Sequence, residues 1–245
     1  MVFHTNKNVL PIIPDLKIGN AKLERVTNFN FLGLLINDNL SWKPHTDYIA
    51  NKISKYVGVL NRLKKFLPSH ILKTLYFSLV QSNLNYSLLA WGYNCGRLKN
   101  IQKKAIRIIS QSKYNAHTEP IMKSLGILKL EDLFKLNMLK WYYRFVKNKV
   151  PEYFLNFEIL NQSERHTHNT RLNMHILQPR VRLIASRHCL RNHISTIINA
   201  TPTEIIQKIN THSYKGYSNY IKKKYLEAYS TECTIENCYI CARHN

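Results

Sequence analysis

The apolar residues of this 245-residue chain change their period at Ser41, and that switch limits what it can fold into. Before it lie short runs suited to strands; after it the apolar stripes recur at helical spacing. Ile49, Ile53, Val57, Leu60 and Leu63 follow three- and four-residue steps and define one buried stripe. Pro68 interrupts, and Ser69 is placed to cap a second helix with a face of Leu72, Leu75, Leu79, Asn83 and Tyr86. After a break at Asn94–Gly96, the residues Leu98, Ile101, Ala105, Ile108 and Ile109 mark a third. With connections this short, the three helices should fold back on one another as a bundle.

Residues 1–40 read as short antiparallel strands. Gly19-Asn20 is a hairpin signal after Leu16-Lys17-Ile18, with Val2-Phe3-His4 a further strand fragment. The run Phe31-Leu32-Gly33-Leu34-Leu35-Ile36 suits one strand buried on both sides, although periodicity alone leaves a helical segment open. Further on, Thr118-Glu119-Pro120 starts a short helix, with Thr118 as its cap, an early acid and a proline in the first turn, and Gly126 stops it. A helix over Leu130–Lys147 is apolar on two faces, Leu133/Leu136/Leu139/Tyr143 and Phe134/Met138/Trp141/Phe145, so it should lie between two layers or against a partner. Residues 161–180 read as an irregular linker. Thr201-Pro202-Thr203-Glu204 has the form of a capping box, and a last helix is expected over Ser213–Tyr229. The class is mainly α with a short N-terminal β segment.

Charge narrows the function. There are 36 Lys and Arg against 14 Asp and Glu, a formal net charge of +22. Such an excess points first to nucleic acid, then to a membrane surface, then to acidic proteins. No apolar run is long enough for a transmembrane helix. Five cysteines without a secretory signal pattern fit a reducing, intracellular setting, nucleus and cytoplasm being indistinguishable. No two aspartates are adjacent, and no HExxH pair, phosphate-binding glycine loop or G-x-S-x-G elbow occurs. Glu131-Asp132 sits at a helix start, where the dipole favours acids for structural reasons. A basic chain of this kind should bind a polyanion rather than cut or join one.

The candidate contacts lie on helices. Lys99, Lys103 and Arg107 occupy successive i, i+4 positions of the third helix, and Lys52, Lys55, Arg62 and Lys65 form a line on the first. Either these ridges hold phosphates or they solvate an outer face; Asp47 is the only acid between Asn39 and Glu119, which favours phosphates. Lys222-Lys223-Lys224 lies among tyrosines that could stack on bases, yet Tyr214, Tyr217, Ile221 and Tyr225 have the spacing of a packed stripe. Cys233, Cys238, Cys241 and His244 offer the ligand types of a structural zinc site, in a spacing that matches no common finger; free thiols on a tail are the alternative. No other cofactor is expected.

The words Phe31-Leu32-Gly33-Leu34-Leu35-Ile36-Asn37-Asp38-Asn39-Leu40-Ser41-Trp42-Lys43-Pro44-His45 resemble a run that follows the polymerase palm in non-LTR (LINE-type, jockey-like) retrotransposon reverse transcriptases. The resemblance continues through Leu67-Pro68, Leu75-Tyr76, Tyr86, Trp91-Gly92 and Leu98 to Arg107, and more weakly to Tyr225–Tyr229. It implies the end of palm motif D at Met1-Val2-Phe3, a primer-grip region at Phe31, Leu32 and Gly33, and a helical thumb that holds template and primer. The family's catalytic Asp-Asp box does not occur in this sequence, and two-metal nucleotidyl transfer needs such carboxylates. The resemblance thus implies a truncated reverse-transcriptase-like piece, no polymerase on its own, that binds RNA–DNA hybrid or duplex without reading sequence. Its divisions would be palm and primer-grip strands at 1–40, a thumb-like bundle at 41–112, a helical connector at 113–160, a C-terminal helical segment at 161–232 and a Cys/His tail at 233–245. Two rivals are a thumb acting in trans with a separate palm, and a protein-interaction scaffold built on the helix around Trp141.

Overall fold

At Leu32-Gly33 the chain reverses direction. The computed structural model describes residues 1–4, 16–93, 95–154, 176–178 and 189–231. Leu32 and Gly33 both have positive φ, 49° and 79°, as a two-residue hairpin with primed geometry requires. The strands β3 (Asn28–Phe31) and β4 (Leu34–Asn37) pair antiparallel, Phe31 opposite Leu34. The run Phe31–Ile36 is therefore a hairpin rather than one strand buried on both sides. Its apolar continuity hid a turn that Gly33 makes accessible. A smaller ladder of β1 (Lys17–Ile18) and β2 (Ala21–Lys22) turns at Gly19-Asn20, as that dipeptide predicts.

Helix α1 (Lys43–Leu63) buries Ile49, Ile53, Val57 and Leu60 of the expected stripe, because the i, i+4, i+8, i+11 spacing keeps them on one side, and leaves Leu63 half-buried at its end. It packs against α5 (Gly96–Ile109), which buries Leu98, Ala105, Ile106, Ile108 and Ile109. The middle segment departs from expectation. It runs as α2 (Ser69–Leu75), a π-helical stretch (Tyr76–Gln81) and α3 (Ser82–Asn85), and then α4 (Leu88–Trp91). Its buried residues are Leu72, Tyr76, Val80, Leu84, Leu88 and Trp91, whereas Tyr86 is exposed and Leu75 and Leu79 half-buried. A strict four-residue spacing drifts by about 40° per step around an ordinary helix. The wider π turn takes back that drift and holds the stripe on the core. Carbonyls around this stretch accept side-chain bonds from Ser78 Oγ (to Leu75, 3.1 Å) and Asn83 Nδ2 (to Leu79, 2.7 Å).

A second layer covers this bundle. Helix α6 (Thr118–Leu125) ends on Gly126 at φ 65°, as expected, and leads into α7 (Leu130–Val146). Then come α8 (Leu190–Asn199), α9 (Thr203–Thr211) and α10 (Tyr214–Glu227). Both faces of α7 carry buried residues, and it packs on α4, α5, α8 and α10. Trp141 and Phe145 are half-buried and stack on each other, centroids 5.4 Å apart, with Phe154 edge-on to Trp141 at 5.6 Å. The layered position holds, with Trp141 and Phe145 left half-exposed at its edge.

Three expected caps are not formed. The cap positions fall on Pro68, His117 and Pro202, with no side-chain cap bond, so Ser69, Thr118 and the Thr201 capping box do not act as such. Thr201 Oγ1 donates back to Ile197 O instead, at 2.7 Å. Ser213 does cap α10, accepting from Gly216 N–H at 3.2 Å. One apolar core runs through these helices from Ile49 to Tyr229. Most of the expected 161–180 linker lies outside the described residues; within it Ile176 is buried and exchanges hydrogen bonds with the Asn199 side chain.

Candidate nucleic-acid interface

The outer flank of α1 is built from residues at three- and four-residue steps that miss the core stripe. Tyr48, Lys52, Lys55, Val59 and Arg62 follow one another along it, and Lys65 and Phe66 lie just beyond its C-terminus. Phe66 is 80% exposed, Tyr48 52% and Val59 43%. None of Lys52, Lys55, Arg62 and Lys65 pairs with a carboxylate among the described residues, since Asp47, the one acid on α1, is engaged by Lys43 (3.5 Å) and Arg97 (3.7 Å). Beside this flank, Asn51, Ser54, Gly58 and Asn61 are exposed and small, so a backbone can approach closely between the longer cations. The charge line is legible in sequence; the interleaved Tyr48, Val59 and Phe66 were missed, although the same spacing places them there.

The line on α5 is different. Lys99 is ion-paired with Glu131, which raises the Lys99 pKa and lowers that of Glu131. Arg107 is half-buried and donates from Nε to Ala116 O at 2.7 Å; its burial lowers its pKa. Lys103 is exposed and lies near Glu119, which is itself paired with Lys129 at 2.8 Å. The expected free ridge Lys99–Lys103–Arg107 thus faces the α6–α7 layer, and its middle residue alone stays open. The local scarcity of acids misled because Glu119 and Glu131 arrive from distant sequence. Glu131 and Asp132 have the structural roles expected of them: Asp132 accepts from Tyr229 OH at 2.6 Å.

The hairpin tip stands beside these helices. Phe31 and Leu32 are exposed, and Leu32 O accepts from Tyr86 OH, whose ring lies 3.6 Å from where a Cβ on Gly33 would sit. Phe31, Leu32 and Gly33 are therefore at an exposed tip braced by Tyr86. The turn end of β4 is fixed by His45 on α1, whose Nδ1 accepts Leu35 N–H at 3.2 Å. His45 is buried edge-on to Trp91 at 5.6 Å, and that burial lowers its pKa. Between hairpin and helix, Leu40 and Trp42 hold positive φ of 53° and 58°, a strained link that sets how the tip is presented.

The tyrosines of α10 pack inward, as their spacing implies: Tyr217 and Ile221 are fully buried and Tyr214 and Tyr225 partly so. Burial lifts the Tyr225 phenol to about 12. Cys233, Cys238, Cys241 and His244 lie outside the described residues. Among the described residues no group of three or more His, Cys, Asp or Glu could hold a metal ion, and no helix is long and apolar enough to cross a membrane. Comparison of the chain with family models, with curated proteins and with solved structures finds no match.

Proposed function

We propose that the chain holds a nucleic-acid duplex, by preference a template–primer hybrid, against the outer flank of α1 and the Leu32 hairpin tip, as the thumb of a LINE-type reverse transcriptase would. The observation that carries this reading is the row of uncompensated cations Lys52, Lys55, Arg62 and Lys65 alternating with exposed Tyr48, Val59 and Phe66. Cations release condensed counterions from phosphates, and interleaved apolar side chains lie on sugar edges or exposed bases. Contacts from these cations to phosphates carry no sequence information, so binding held by them is indifferent to sequence. The mainly helical bundle behind a short hairpin is compatible with the resemblance of Phe31–His45 to the reverse-transcriptase run. On this reading the chain contributes holding and not bond formation, because the Asp-Asp box that would carry two metals is absent from its sequence.

The test is a fluorescence-anisotropy titration of a labelled RNA–DNA hybrid. Lys55→Glu/Arg62→Glu/Lys65→Glu should weaken binding by a factor of about 100 or more, several phosphate contacts becoming repulsive. Lys99→Glu, which breaks an internal ion pair instead, should weaken it far less. Equal loss in the two variants, or none in the first, contradicts the assignment.

A further inference from the structure

Lined by Asn85 and Ser87, the chain neighbours of Tyr86, a cleft of about 320 Å³ opens between the α3–α4 turn, α7 and the start of α10. Its walls carry Asn85, Ser87, Asn137, Lys140, Arg144 and Tyr214, and no carboxylate lines it. Lys140 and Arg144 are one turn apart on α7, and both lie over the Tyr214 ring, with Nζ 5.5 Å and Cζ 4.7 Å from its centroid. The ring's negative face orients the two cations without neutralising them. Neither is ion-paired among the described residues, so the cleft holds two aimed, uncompensated charges, the arrangement that receives a phosphate ester.

A neutral, directional pair bridges α7 to the α3–α4 turn at the edge of the cleft. Asn137 Nδ2 donates to Asn85 Oδ1 at 2.7 Å, which leaves Asn85 Nδ2 as a donor beside Asn137 Oδ1 as an acceptor. A donor next to an acceptor is what the edge of a nucleobase pairs with. Ser87 in the same turn is held at φ 48°, a strained conformation that forms the bend between α3 and α4. Its neighbour Tyr86 bonds Leu32 O at the hairpin tip, so the tip and the cleft are joined through adjacent residues.

We propose that this cleft binds one unpaired nucleotide of a single strand, with its phosphate on Lys140 and Arg144 and its base edge on the Asn85–Asn137 pair. The placement of that nucleotide next to a held duplex rests on the function proposed above; the affinity of the cleft itself does not. Its volume matches a mononucleotide and lies at the small end of ligand sites. Sources with the same chemistry are a free nucleotide and bare phosphate, and the test separates them.

Isothermal titration of the full chain with AMP, adenosine and inorganic phosphate reads the site directly. AMP should bind more tightly than either part alone. Lys140→Gln/Arg144→Gln should reduce AMP affinity by about tenfold or more, through loss of charge-assisted bonds. Arg144→Lys, which keeps the charge, should retain most of it and guards against a mere folding defect. The same double variant should leave hybrid-duplex affinity within about twofold, since the α1 flank is intact. No AMP binding, AMP binding no tighter than phosphate, or AMP affinity unchanged in the double variant overturns the proposal. AMP binding with no duplex binding would instead leave the cleft standing and sink the α1 reading.

Discussion

Gln102 shows how one buried polar side chain can join two layers. It is 1% exposed on α5, yet Nε2 donates to Tyr76 OH (3.1 Å) and Leu128 O (3.0 Å), while Oε1 accepts Leu130 N–H (3.0 Å). Tyr76 OH donates its own proton to Gln81 Oε1 at 2.8 Å. The π stretch, α5 and the entry to α7 are thus tied through one amide, and every polar atom of it is satisfied. Gln102→Ala should lower unfolding free energy by roughly 3 kcal/mol, because it orphans buried partners as well as leaving a void. Chemical denaturation checks this, and a loss under about 1 kcal/mol would mean that water replaces the amide. Gly92 acts through absence. A Cβ there would come within 2.5 Å of Phe134 Cδ2 and 2.6 Å of Leu88 O, so Gly92→Ala should force α4 off α7 and cost about 3 kcal/mol. An alanine variant as stable as the parent would contradict that packing. The role of Gln102 is not legible in the sequence, since a glutamine in a helical stripe looks like surface until Leu128 and Leu130 are brought over it.

At the scale of elements, what was legible followed the ordinary helical period. The α1 and α5 stripes, the Gly126 stop and the Ser213 start all came through, because each is a local signal. The Leu72–Leu88 stripe did not, since a π turn changes the period and no residue type announces one. The caps at Pro68 and Pro202 were misread by one position, a shift that propensity alone does not resolve. The Leu32-Gly33 turn was masked by apolar neighbours whose exposure only the hairpin reveals. His45 then makes hairpin docking sensitive to pH. Its Nδ1 must be unprotonated to accept Leu35 N–H, and its folded pKa lies below the unfolded value near 6.5. Between those two values the unfolded chain binds more protons, so stability is full above about 6.5 and falls as pH drops through that window. His45→Gln, which cannot titrate there, should flatten this part of the profile in denaturation experiments across pH. A variant with the parent's slope would assign the effect to another group.

For the whole molecule the question is where the +22 charge goes. The fold gathers several of its few acids, Glu119, Glu131 and Asp132, at the seam between the α1–α5 bundle and the α6–α7 layer, where they pair with Lys129, Lys99 and Lys135. That arrangement stabilises only modestly, as exposed pairs do, but it leaves the α1 flank without a compensating acid. Composition alone could indicate a polyanion partner; it could not say which ridge remains open, because that depends on acids far away in sequence. The direct measurement is the salt dependence of hybrid binding. A plot of log affinity against log NaCl concentration should be steep for the parent chain. It should be shallower by about 3 units for Lys55→Glu/Arg62→Glu/Lys65→Glu, near 0.9 for each phosphate that the variant leaves unneutralised. Binding that ignores salt, or an equal slope in both proteins, would contradict the account.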